Sequence, residues 1–110
     1  MVIKLQLANS EKAYLSKWVS LPCVPAILKQ TLDEIDARTS QEYEMLNIKS
    51  EIKGLCACVN KTTSLGELNE AAFLVQQLLT NRYESIEAFI SDRTPTMTDL
   101  LLYLQSLYST

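Results

Sequence analysis

Residues 2–22 have the sequence VIKLQLANSEKAYLSKWVSLP, and this stretch decides the fold class of the first half of the chain. From Val2 to Ala8 apolar side chains occupy every second position, which is the period of a strand with one buried face. Asn9 to Lys12 supplies turn-forming side chains, and a second apolar run from Ala13 to Leu21 ends before Pro22. The stretch therefore predicts two strands joined by a turn, with helix as the alternative for the first turn of the second run.

The residues that follow predict a helix and further strand. Between Pro22 and Thr39 apolar side chains recur every three or four residues, which is typical of a short amphipathic helix. Glu42 to Glu51 has alternating apolar side chains whose order shifts by one step between Met45 and Leu46, so we expect a strand with a bulge. Leu55 to Val59 is expected to be a second short extended piece.

From Ser64 onward the apolar period becomes helical. Residues 64–79 have the sequence SLGELNEAAFLVQQLL, in which Ser64 and Glu67 have the spacing of a capping box. A short helix is predicted from Ser85 to Ser91. A last helix is predicted from Thr96, whose partner Asp99 repeats the cap pattern, to Tyr108.

These elements predict an α+β fold. A small antiparallel β-sheet of three or four strands with one packed helix should be followed by an all-helical subdomain of about three helices. We expect a β-rich domain over residues 1–61 and a helical domain over residues 62–110, with the boundary near Asn60 to Thr63.

Composition restricts the function classes. The chain has 110 residues, 47% of them apolar and 21% charged, which is ordinary for one small globular protein. Thirteen acidic against ten basic side chains give a net charge of −3, so the concentrated positive surface that nucleic-acid binding needs is not expected. No apolar run is long enough for a secretory signal or a membrane span, so we expect a cytoplasmic protein without a membrane partner.

The residue types also argue against catalysis. The chain has no histidine, the commonest general base, and its two glycines, Gly54 and Gly66, are too few for a phosphate-binding loop. We therefore expect no enzyme activity, no catalytic residues and no cofactor.

The chain has three cysteines, an odd number that argues against a secreted disulfide framework. They are Cys23, Cys56 and Cys58. If the segment around Cys56 and Cys58 is extended, both thiols lie on one face, and Cys23 could join them around a metal. Zinc would still need a fourth ligand, so packed thiols and no metal site are the prediction.

Three segments together resemble the ArdA antirestriction family. The first is residues 2–22. The second is EYEMLNIKSE (residues 42–51), which is similar to the family's acidic EYE-type strand. The third is residues 64–79, which look like its signature helix beginning Ser-Ile-Gly-Glu-Leu-Asn. The resemblance covers residues 2 to 91, the N-terminal and central domains, without a counterpart of the C-terminal domain that carries dimerisation.

ArdA proteins are encoded by plasmids, conjugative transposons and phages, and they inhibit type I restriction-modification enzymes by imitating duplex DNA. The resemblance implies a cytoplasmic inhibitor that binds a host restriction-modification enzyme, or a CRISPR effector as a divergent target, stoichiometrically. The alternative is a non-inhibitory regulatory module that keeps the fold, because a net charge of −3 is low for a DNA mimic.

The expected binding surface consists of carboxylates in or beside the ArdA-like segments. These residues are Glu42, Glu44, Glu67, Glu70, Glu84 and Glu87. If charge is not the mechanism, an aromatic contact on the helical half is the next expectation, through Tyr83, Tyr103 or Tyr108. Trp18 is expected in the core or at its rim, without a function.

Overall fold

The computed structural model describes residues 2–39, 41–60, 63–78 and 83–108, the side chain of Tyr108 excepted. It has the predicted α+β fold, a three-stranded antiparallel sheet with four helices. The strands are β1 (Ile3–Asn9), β2 (Ser16–Leu21) and β3 (Tyr43–Ser50). The helices are α1 (Pro25–Glu34), α2 (Leu65–Gln77), α3 (Tyr83–Arg93) and α4 (Met97–Tyr108).

The sheet has the order β2-β1-β3, so β1 is central and β3 forms an edge. Ile3, Leu5 and Leu7 of β1 are fully buried on the face toward the helices, as their alternation predicted. Gln6 pairs with Asn47 and Leu7 with Met45, which leaves Leu46 as an extra residue on β3. The predicted bulge is therefore confirmed, and it lies at Leu46.

The segment from Leu55 to Cys58 corrects one prediction, because it forms a 3₁₀ turn and not an extended piece. Gly54 has a φ of +86°, a left-handed conformation that starts the turn, and the Ala57 N–H donates to the Gly54 carbonyl at 3.1 Å. Leu55 and Cys58, three residues apart, are the buried pair. In so short an apolar run, the sequence does not show whether buried residues recur every three positions, as in a 3₁₀ turn, or every two, as in a strand.

The helical half follows its capping signals. Ser64 Oγ accepts from the Glu67 N–H at 3.1 Å and Glu67 receives the Ser64 N–H at 3.3 Å, so the predicted capping box is present. α2 ends at Gln77, and Leu79, which the predicted helix included, lies outside the described residues. α3 is longer than the predicted Ser85 to Ser91. The cap at Thr96 is confirmed by reciprocal 3.3 Å hydrogen bonds with Asp99.

One hydrophobic cluster joins the sheet to the helices. It contains Leu5 and Leu21 of the sheet together with Leu68 of α2, Ile86 of α3 and Leu104 of α4. The division into domains 1–61 and 62–110 stays a prediction, and residues 61 and 62 of its boundary lie outside the described part. None of the helices in the described ranges is long and apolar enough to cross a membrane.

Candidate functional site

A groove of about 810 Å³ runs along the outer edge of β3. One side of it is the strand from Tyr43 to Ile48, and the other is the chain around Cys56, Val59 and the stretch from Thr63 to Ser64. β3 is an edge strand, so half of its backbone N–H and C=O groups face away from β1. The groove thus places a strand edge beside a partly apolar hollow.

Two polar contacts hold the walls of the groove. The Cys56 thiol donates to the Ile48 carbonyl at 3.5 Å, which ties the 3₁₀ turn to β3. The phenol oxygen of Tyr43 accepts from the Leu65 N–H at the start of α2. Burial raises the pKa of Tyr43 and this hydrogen bond opposes the rise, so the phenol stays protonated at neutral pH.

The lining has little catalytic potential. Glu44 is the single charged side chain among the described residues that line the groove. The remaining lining is apolar, amide, hydroxyl or thiol, and the whole chain lacks histidine. Such a surface suits an extended, mostly uncharged protein segment that pairs with a strand edge and places alternate side chains in the hollow.

Three of the six expected binding carboxylates are used inside the fold. Glu42 accepts from the backbone N–H groups of Arg38 and Thr39, and Glu87 accepts from the Lys53 N–H at 2.7 Å. Glu67 completes the capping box and also accepts from the Thr98 hydroxyl at 2.9 Å. These three carboxylates therefore hold turns and helix ends in place, whatever else they do.

The other three carboxylates are less engaged. Glu70 accepts from the Gln105 amide at 3.3 Å, a contact between α2 and α4. The side chains of Glu44 and Glu84 are exposed and form no hydrogen bond or ion pair within the described residues. Of all six, only Glu44 lines the groove.

Two of the remaining acids border the groove. Glu42 follows the lining residue Gln41, and Glu67 is bonded to the lining residue Ser64. Glu70, Glu84 and Glu87 lie on α2 and α3 and are not part of its lining. The structure thus places three of the six predicted carboxylates, Glu42, Glu44 and Glu67, in or beside the groove.

The pKa of Glu67 is lowered. The hydrogen bond from the Thr98 hydroxyl is the largest cause, followed by the bond from the Ser64 N–H. Both hydrogen bonds stabilise the ionised carboxylate, so Glu67 keeps its negative charge at pH values below those at which glutamate usually becomes protonated.

The cysteines pack separately. Cys56 donates to Ile48, whereas the Cys58 thiol faces the Gly54 carbonyl at 3.9 Å. Burial raises the pKa of Cys23 and of Cys58, which keeps these thiols protonated and weakly reactive. Within the part of the chain that the structure describes, no three cysteine, aspartate or glutamate side chains come together as metal ligands could.

The expected aromatic candidates are partly engaged. Tyr103 stacks on Phe89 with ring centroids 4.1 Å apart, and its hydroxyl donates to the Ser85 carbonyl at 3.5 Å. Tyr83 is half-buried. The side chain of Tyr108 lies outside the described residues.

Sequence reasoning missed the open face of the sheet, which the helices do not cover. Trp18 of β2 is 42% exposed on this face, with Lys4 and Lys49 close to its ring. The signal was present in the alternation of Lys4 and Gln6 with buried residues of β1, but only the strand order shows that Lys49 joins them.

Comparisons of the chain with protein-family models, with curated proteins and with solved structures found no match in any of the three.

Proposed function

We propose that this chain is a stoichiometric inhibitor that binds a host DNA-targeting defence enzyme, with a restriction-modification enzyme or a CRISPR effector as the target. The class of function comes from the resemblance of three segments to the ArdA family. The observation that carries the proposal is that the second of these segments, through Tyr43 to Ile48, and the first residue of the third, Ser64, line one groove.

The groove supports binding through backbone pairing and shape. A loop or strand of the target would add to the free edge of β3, while its side chains enter the hollow between Met45 and Val59. Leu46, the extra residue of the bulge, is 44% accessible and lies where the target segment would pair with β3. An exposed leucine at a groove edge is a suitable anchor for an apolar side chain.

Charge has an accessory part in this proposal. Three of the six carboxylates accept hydrogen bonds from the backbone, so their positions are fixed before a partner arrives. Fixed carboxylates can face lysines and arginines of a DNA-binding channel without a further loss of side-chain entropy. Among the described lining residues Glu44 is the one charged side chain, so we assign the main contact energy to uncharged groups.

A second candidate is a non-inhibitory interaction module with the same groove. The net charge of −3 and a described groove lining with one charged side chain favour it, because neither is what duplex DNA presents. The two candidates share the binding surface and differ in the target and in the effect on DNA cleavage.

The test is protection of DNA against a panel of restriction and CRISPR systems, with Leu46→Asp as the variant and Leu102→Asp as the matched control. Leu102 is 61% exposed on α4 and does not line the groove, so both changes place the same charge on the surface. We expect protection by the parent chain and by Leu102→Asp, and its loss in Leu46→Asp.

Both variants should melt within a few degrees of the parent chain, because both leucines are exposed. Equal protection by Leu46→Asp would rule out the groove as the contact. Absence of protection by the parent chain across the panel, with binding to a partner through the groove retained, would support the interaction module.

A further inference from the structure

The open face of the sheet has two lysines directly opposite each other. In the pairing of β1 with β3, Lys4 faces Lys49, and both side chains point away from the helices. Their Nζ atoms lie 5.4 Å and 5.6 Å from the centre of the Trp18 ring. Like charges in directly opposite positions repel each other, so this arrangement is costly unless something compensates it.

Neither lysine forms an ion pair with a carboxylate of the described residues. The ion pairs in this part of the chain are Lys12 with Asp36 and Lys17 with Glu34, and neither involves Lys4 or Lys49. Glu44 is on the same face but pairs with Ala8, four positions along β1 from Lys4, which is roughly 13 Å at the rise of a strand.

Glu51 is the nearer acid. It lines, with Val2, Ser50 and both lysines, a hollow of about 210 Å³ at the end of the face. The lining of this hollow thus has two ammonium groups and one carboxylate, an excess of one positive charge.

The aromatic ring positions both charges. The face of a tryptophan ring attracts an ammonium group, which favours side-chain conformations that keep the two close together. Beside the ring, Gln6 accepts from the Asn47 amide at 2.7 Å and donates to Ser16 Oγ at 3.5 Å. These hydrogen bonds hold the three polar side chains next to the ring in place. The face presents two preorganised cations and one exposed aromatic ring.

We propose that this face, defined by Lys4, Trp18 and Lys49, binds an acidic segment of a protein partner. Two carboxylates of the segment would pair with the two ammonium groups, and an apolar side chain would lie on the exposed part of the Trp18 ring, a residue type that often dominates binding energy. Charge complementarity selects this partner. A nucleic acid is disfavoured, because two lysines in a chain with a net charge of −3 neutralise few phosphates.

This inference uses the open face and not the groove, so it does not depend on the proposed function. The probe is a hexaglutamate peptide, with binding measured by calorimetry and by fluorescence. Trp18 is the single tryptophan of the chain, so a change in its emission reports this face directly. We expect binding that weakens as salt rises, with a shift of Trp18 emission.

The variant is Lys4→Gln with Lys49→Gln, and the matched control is Lys29→Gln with Lys53→Gln, which removes two exposed lysines from α1 and from the loop after β3. The first pair should bind hexaglutamate about tenfold more weakly, the combined effect of two exposed charge contacts, while the control pair binds as the parent does. The first variant should melt close to the parent, because the change removes the repulsion between the two lysines together with their attraction to the Trp18 ring.

Three results would overturn the inference. They are no binding of hexaglutamate by the parent chain, equal loss in both variants, and tighter binding of a thymidine hexanucleotide than of the peptide. The last result would identify the face as a single-strand nucleic-acid surface.

Discussion

The side-chain amide of Asn69 holds both backbone groups of Cys23. Asn69 Oδ1 accepts from the Cys23 N–H at 2.9 Å, and Asn69 Nδ2 donates to the Cys23 carbonyl at 2.8 Å. Asn69 is buried in α2, and Cys23 lies between β2 and α1, 46 positions away in the sequence. The amide thus replaces a backbone partner for an irregular segment that packs against the helical half.

Asn69→Leu should be strongly destabilising. It removes both hydrogen bonds and leaves a partly buried N–H and carbonyl without partners, at a cost of about 2 to 4 kcal/mol. Gln76→Leu is the control, since Gln76 is exposed on the same helix. Urea unfolding measures both variants, and a similar free energy of unfolding for the two would contradict this role of Asn69.

Ser64→Ala removes the acceptor of the capping box. We expect a loss of about 0.5 to 2 kcal/mol in the free energy of unfolding, while Ser64→Thr, which keeps the hydroxyl, should lose much less. Thermal unfolding followed by circular dichroism distinguishes them. An alanine variant as stable as the threonine variant would show that the cap adds nothing.

Glu67 should make stability depend on acid. Its pKa is below the ordinary value of 4.5 in the folded chain, because Thr98 and Ser64 donate to the carboxylate. The unfolded chain therefore binds the proton more readily, so this contribution is fully present above about pH 4.5 and is lost as pH falls through the lowered pKa.

The matched variant for this pH dependence is Glu67→Gln, which keeps a side chain that can accept the cap hydrogen bond. Its stability curve from pH 7 to pH 3 should be flatter than that of the parent. Parallel curves would show that Glu67 does not titrate differently in the folded state.

The six carboxylates should separate into two groups. Neutralising Glu42, Glu67 and Glu87 to glutamine removes ionised acceptors of backbone N–H groups, so the triple variant should be less stable than the parent. Neutralising Glu44, Glu70 and Glu84 should leave stability nearly unchanged.

The second triple variant is also the test of charge mimicry. If it still inhibits the target with unchanged affinity over a tenfold range of salt, carboxylates of this set do not carry the binding. A steep loss of affinity would instead restore charge as the main contact.

Metal should have no effect on the fold. Cys23, Cys56 and Cys58 have backbone or apolar surroundings, so the purified chain should contain no stoichiometric zinc and its melting temperature should be independent of chelator. Elemental analysis and a melting curve with chelator check this. About one zinc per chain would contradict it.

The elements that could be predicted from the sequence are those whose signal is local. The Ser64 cap and the alternation of Ile3, Leu5 and Leu7 each need only a few neighbouring residues, and the shift at Leu46 shows a bulge within one strand. The prediction of an extended piece from Leu55 to Cys58 was wrong, because a short apolar run fits both a strand and a 3₁₀ turn. Which of the two forms depends on Gly54 and on the residues that pack against the turn.

The candidate surfaces depend on long-range pairing and could not be predicted in the same way. Lys4 and Lys49 meet only because β3 pairs with β1, and the groove exists only because β3 is the edge. The six binding carboxylates were predicted from their position in or beside the ArdA-like segments. That position does not show that Glu42 and Glu87 accept backbone hydrogen bonds.

The bulge at Leu46 restricts self-association of the chain. It reverses the side-chain alternation, so Met45 and Ile48, three residues apart, both face the core, while Glu44 and Lys49 face the opposite side. If two copies paired their β3 edges symmetrically about the bulge, Met45 of one copy would stand opposite Ile48 of the other and Glu44 opposite Lys49, whereas a shift of one residue would set core-facing side chains opposite open-face ones. Self-pairing across the bulge therefore depends on one register, whereas an edge strand without a bulge can pair with its own copy in several.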